Sequence, residues 1–172
     1  MDNNNQLSPN SLAFIALANE YCQLAEEANY YERSDLVDKL AKLLPRIYIS
    51  ALDLAPSMMM LGNGIASSLQ ESQYNNVKSR VEAVMAEEDV YLEVFMENMK
   101  YSDTPIATTI SENLADLYQE FYEMLAAIND LTVENQQEIL SMCRDNFDEY
   151  WSQTLCNVLR AINMLRNIEH ID

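Results

Sequence analysis

Glycine, histidine and basic side chains are all scarce in this chain of 172 residues, which has two Gly, one His and 10 Lys plus Arg against 28 Asp plus Glu. Each shortage removes a class of chemistry. With only Gly62 and Gly64 available, neither a GxxxxGK[ST] phosphate loop nor a complete GxGxxG fingerprint can be written anywhere. The single His170 would have to supply any buried catalytic histidine from the last turn of the chain, and a multi-His metal site cannot be built from it. A net charge of −18 opposes binding to phosphate backbones, because that affinity comes from Lys and Arg releasing counterions. The same sign opposes anionic membrane surfaces. No cofactor, nucleic acid or membrane partner is therefore expected.

Cysteine is sparse too. Cys22, Cys143 and Cys156 are odd in number and have no CxxC spacing, so neither a disulfide framework nor a zinc ribbon is indicated. No apolar run approaches the roughly 20 residues of a membrane helix, and the opening Met-Asp-Asn-Asn-Asn-Gln lacks the features of a signal peptide. These features fit a reducing, cytoplasmic setting. Hydrophobic residues make up 49% of the chain, enough for a proper core without metals or disulfides.

What is abundant, Leu, Ala, Glu, Gln and Met, favours helix, since these side chains lose little freedom there. The expected fold is all-α: one domain over 8–172 after a disordered 1–7, with five to six helices and a long C-terminal helix. Ser8-Pro9 reads as an N-cap followed by proline at the first helical position, opening a helix to about Tyr31. Its Phe14, Ala18, Tyr21, Ala25 and Ala28 share one face. Ser34 begins a second helix with Leu36, Val37, Leu40, Leu43, Leu44 and Ile47 as its stripe, and Pro45 predicts a kink or break within it. From Ala55 to Ser72, including Met58 to Gly64, the pattern is aperiodic and reads as a loop.

A third helix is predicted over Gln73–Glu87 and a fourth over Asp89–Met99, anchored by Val90, Val94 and Phe95. For the next helix two starts compete, Thr104-Pro105 and the capping box Thr109-Ile-Ser-Glu112, but its stripe of Ile110, Leu114, Leu117, Tyr118, Phe121, Leu125 and Ile128 is unambiguous. A final helix from Thr132 to about Ile168 carries Leu140, Phe147, Trp151, Leu155, Val158, Ile162 and Leu165 inward. At about 1.5 Å per residue it would exceed roughly 50 Å if unbroken.

Charge is uneven along the chain. Between Val81 and Cys143 fourteen acids face one base, Lys100. On a helix, Asp89, Glu93 and Glu97 would sit four apart on one face, where oxygen ligands can converge on Mg²⁺ or Ca²⁺; a merely solvated face has the same spacing. The di-iron carboxylate bundles need Glu-x-x-His motifs, and none occurs. Arg144 falls roughly 20° from Trp151 on the helical wheel at 3.6 residues per turn, inside an apolar stripe with Asp148 one turn on. It either packs its stem and pairs with a carboxylate or binds a ligand anion in a pocket with Tyr118, Tyr150 and Trp151.

Two stretches, Asp89-Val-Tyr-Leu-Glu-Val-Phe95 with Ser111-Glu-Asn-Leu-Ala-Asp-Leu-Tyr-Gln119, and Tyr150-Trp151 leading to Leu159-Arg160-Ala161, resemble a bacterial helical family catalogued as domain of unknown function 5063. The resemblance implies an all-helical fold and no established activity. Histidines accompany the last-helix Trp in that family's pattern, whereas Tyr150 and Ser152 stand in those places here. Asp116, in the stretch most similar to the family, falls on the outward face of its helix, with Glu112 and Glu123 on the same side. Such a carboxylate either pairs helices, meets a partner or is simply solvated. The leading functional expectation is a non-enzymatic interaction module whose acidic surface meets a basic protein partner, with homo-oligomerisation left open. The rival is a small-ligand binder or enzyme using the Arg144 pocket.

Overall fold

The shortage of helix breakers is realised as helix almost throughout. A computed structural model describes residues 6–57, 64–93, 106–129 and 131–169. The helices are α1 (Pro9–Glu26), α2 (Arg33–Leu52), α3 (Glu71–Met85), α4 (Ile110–Ile128), α5 (Val133–Asn146) and α6 (Ser152–Glu169). A π-helical turn, Phe147–Trp151, joins α5 to α6, so the long C-terminal helix continues through it. The one departure from all-α among the described residues is a two-stranded antiparallel ribbon of β1 (Val90–Leu92) and β2 (Ala107–Thr109), with Val90 opposite Thr109 and Leu92 opposite Ala107.

Local chemistry sets the helix ends. The Ser8 hydroxyl accepts from the Ser11 N–H at 3.0 Å, and Pro9 occupies the first position of α1, where its missing N–H removes no helical bond. At α4 the Thr109 start prevails, its hydroxyl accepting from the Glu112 N–H at 3.1 Å. Gln70 and Gln73 form a reciprocal capping box at α3. The final helix begins after Thr132, as its sequence predicts.

Of the kink or break expected at Pro45 the break is absent, and the helix expected from Asp89 is corrected. Pro45 does not break α2, which runs through it. Interior proline costs about 3 kcal/mol. Leu43, Leu44 and Ile47 on either side are fully buried, and each such side chain contributes roughly 1.5–3 kcal/mol, so burial outweighs the lost bond. Nor is there a helix at Asp89–Leu92: Ala86–Asp89 forms a 3₁₀ turn and β1 follows. Residues 94–99 of that expected helix lie outside the described residues, as do 1–5, Met58 to Asn63, Lys100 and His170.

Four helices pack in a ring in which α1 meets α2, α2 meets α6, α6 meets α4 and α4 meets α1, while α3 lies outside across α4 and α1. Their buried side chains form one cluster. At its centre Trp151 lies between Phe14, Phe121 and Phe147, with ring centroids at 6.4, 5.1 and 4.6 Å. The Tyr21 hydroxyl is satisfied by donating to the Leu114 carbonyl at 2.7 Å. Among the described residues, the Trp151 indole N–H is the buried side-chain polar atom left without a partner. Leu7, Ile65 and Leu69 also pack against the core, which ties down the residue before the Ser8 cap and part of the expected loop.

Candidate functional site

Arg144 is committed to the fold. Its Nε donates to Asp148 at 2.9 Å, and one terminal nitrogen donates to the carbonyls of Leu52 and, at 3.0 Å, Leu54, with Ala51 at 3.5 Å. These carbonyls close α2, whose own last turn has no base, so Arg144 supplies the cation that a helix C-terminus favours. Arg80 does the same for α1, donating to the Glu26 carbonyl. The residues expected around an Arg144 pocket are not brought together. Tyr118 donates to Glu26 at 2.7 Å, Trp151 is sealed in the core, and Tyr150 is exposed. Burial and the Glu26 carboxylate both push the Tyr118 phenol well above its ordinary value.

The carboxylates singled out on α4 also hold the fold together. Asp116 lies at the surface yet accepts from the Tyr74 hydroxyl at 2.7 Å, and Glu112 pairs with Lys78 at 3.6 Å, so both face α3. Glu123 accepts from Ser67 at 2.9 Å and fastens the segment before α3. Partial desolvation raises the Asp116 carboxyl, with Glu112 adding to the rise and Tyr74 and Lys78 opposing it. Glu120 was missed as a special position. It is half-buried against α5, accepts from Asn146 at 3.3 Å and is raised chiefly by desolvation.

The cation reading loses its helical premise, because Asp89 and Glu93 flank a strand and Glu97 lies outside the described residues. Asp89 is buried instead, accepting from the Ser111 N–H at 2.8 Å and the Ser111 hydroxyl at 2.7 Å. Asp89 thus sets an anion beside the first turn of α4, at the positive end of the helix dipole. Among the described residues no three His, Cys, Asp or Glu side chains gather as a metal site would need.

The Asp89 anchor positions a surface feature that helical patterning hides. It pins the 3₁₀ turn to α4, so β1 emerges alongside β2, and the Glu93 N–H extends the pairing by donating to the Ile106 carbonyl at 2.9 Å. Tyr91 turns toward Asn113, whose amide donates to its hydroxyl, while Thr108 donates to the Asn113 side-chain oxygen at 3.3 Å. Strand alternation then turns Val90 and Leu92 outward, at 63% and 53% exposure. Glu87 and Glu88 lie before the buried Asp89, exposed and without a hydrogen-bond or ion-pair partner among the described residues, and half-buried Glu93 follows the strand. An apolar pair flanked by carboxylates is suited to holding an amphipathic, basic segment.

Among the described residues no helix is long and apolar enough to cross a membrane. No curated protein matches the chain. It is similar to the crystal structure of protein BF1032 from Bacteroides fragilis, with a TM-score of 0.78 and 28% identity over 92% of this chain and 93% of that one. The architecture described above thus recurs over nearly the full length of a second protein. The family model described as Domain of unknown function (DUF5063) matches residues 5–167, and the chain belongs to that family.

Proposed function

We propose that the protein is a non-enzymatic interaction module whose acidic surface binds a basic protein partner, with the contact centred on Val90 and Leu92 and flanked by Glu87, Glu88 and Glu93. The observation that carries this reading is the pair of outward apolar side chains on β1 beside carboxylates that pair with no base among the described residues. The two bases of α3 are already engaged, Lys78 with Glu112 and Arg80 with the Glu26 carbonyl. Complementary charge would raise the association rate and exclude acidic competitors, while Val90 and Leu92 would supply desolvated contact. Asp116, Glu112 and Glu123 take the helix-pairing role rather than the partner-binding one.

The test is affinity capture from a host extract at low and high salt, comparing the native protein with Glu87→Lys/Glu88→Lys and with Val90→Ser/Leu92→Ser. Basic proteins should be retained at low salt, released as the Debye length falls toward about 3 Å near 1 M, and lost with either variant. Retention that ignores ionic strength and survives both variants would sink the reading.

A further inference from the structure

The bases of this acidic chain are gathered on the side of the bundle away from α3. α2 carries Arg33, Lys39, Lys42 and Arg46, and α6 carries Arg160 and Arg166, together six of the ten Lys and Arg. Between these two helices runs an open groove of about 620 Å³. It exists because the side chains along the outer seam are short: Ala41 and Pro45 on α2 face Cys156 on α6, with Leu159 completing an apolar floor. Pro45 has no N–H, so the Ala41 carbonyl in this seam lacks its usual helical donor. Lys42 and Arg160 line the groove, are exposed, and carry no hydrogen bond or ion pair among the described residues. Arg166 closes the far end while bonded to Asp38 at 3.2 Å. One turn beyond Pro45, Ile49 is 61% exposed and extends the apolar ridge.

We propose that the α2–α6 groove binds a free single-chain fatty carboxylate, with its head on Lys42 and Arg160 and its alkyl chain along Ala41, Pro45, Leu159 and Cys156. The volume falls within the roughly 300–1,000 Å³ usual for small-ligand sites. Charge selects among occupants. The rim cations repel a basic segment, and an acidic protein would meet the −18 field of the whole molecule with many charges at once. A fatty carboxylate brings one negative charge, which a guanidinium can hold through two parallel hydrogen bonds, and an apolar tail that the floor can cover. The site is distinct from the β1 surface and does not depend on it.

Cys156 provides the readout. It is the exposed cysteine, whereas Cys22 and Cys143 are buried, so the rate at which Ellman's reagent labels the native protein reports this groove. Dodecanoate below its micelle threshold should slow labelling about tenfold at saturation, the effect of covering the thiol about nine-tenths of the time. Dodecyltrimethylammonium should leave the rate unchanged. The comparison is biased against the proposal, since the net charge attracts the cation, so selective protection by the anion must arise locally. Lys42→Glu/Arg160→Glu should weaken dodecanoate binding by titration calorimetry at least about tenfold, with an unchanged melting temperature because both side chains are exposed. Equal protection by the two surfactants, undiminished dodecanoate binding by the variant, or no protection of Cys156 in the native protein would each overturn the proposal.

Discussion

Replacing Arg144 with Met keeps most of the stem that packs near Phe147 and removes the guanidinium. The change strands the carbonyls of Leu52 and Leu54, which accept from Arg144, and frees Asp148. Hydrogen bonds to a charged donor are each worth about 1.5–3 kcal/mol. The Arg144 side chain is only 17% exposed, but its bond to the Leu52 carbonyl is exposed and that to the Leu54 carbonyl partly buried, so each counts at the low end of that range. The Asp148 side chain is 48% exposed, and its share is that of a surface i,i+4 pair, about 0.3–0.5 kcal/mol. Two stranded carbonyls then set the expected loss at about 3 kcal/mol, a fall in melting temperature of roughly 6–12 °C for a chain of this size. Urea unfolding followed by circular dichroism measures it, with Asp148→Asn as the comparison. A loss below about 0.5 kcal/mol for Arg144→Met, the level of an ordinary surface change, would refute the capping assignment. So would an Asp148→Asn loss of the same size as that of Arg144→Met, since the ion pair would then carry the effect.

Ala86 ends α3 at φ 51 and ψ −121, a conformation that suits glycine, so Ala86→Gly should stabilise the protein by about 1 kcal/mol in the same assay. Asp116 and Glu120 hold protons more tightly folded than unfolded, so their contribution to stability grows as pH falls through their raised folded values toward the ordinary 3.8 and 4.5, and is lost as pH rises again. Melting temperature should therefore climb on mild acidification from neutrality, and Glu120→Gln should raise it at pH 7 and flatten the climb; a fall on acidification over that window would refute the assignment. Burial lifts the Cys22 thiol to about 12 and Cys143 higher still, so native protein should yield one fast thiol, Cys156, and release the other two only with denaturant.

The α4 stripe, the Ser8 cap and the Arg144–Asp148 pairing were legible because each depends on residues within about one helical turn, whereas Thr109 was one of two competing starts. β1 was misread for a physical reason. Val90, Leu92 and Val94 alternate with Tyr91 and Glu93, a period-2 pattern rich in β-branched residues, yet Val90, Val94 and Phe95 also satisfy helical spacing. The deciding contact is Asp89 with Ser111, 22 positions away. Pro45 was overruled by burial on both sides of it. The roles of Asp116 and Glu123 were hidden because a carboxylate that faces out from its own helix can still face another element, here α3 through Tyr74 and the preceding segment through Ser67. The groove was invisible for the same reason, since no periodicity on α2 announces which residues of α6 will lie beside it.

The two arginine caps also set a timetable. α1 and α2 are made first, but α1 is closed by Arg80, 54 positions after Glu26, and α2 by Arg144, 90 positions after Leu54. At a synthesis rate of about 5–20 residues per second, the end of α2 waits roughly 5–18 s for its cation. During that interval the nascent hairpin holds Leu36, Leu40, Leu44 and Ile47 without α6 to cover them and without the charge that finishes its second helix. The N-terminal half is thus completed only by the C-terminal helix, and a chain that stalls before Arg144 lacks both the cover and the cap of that hairpin.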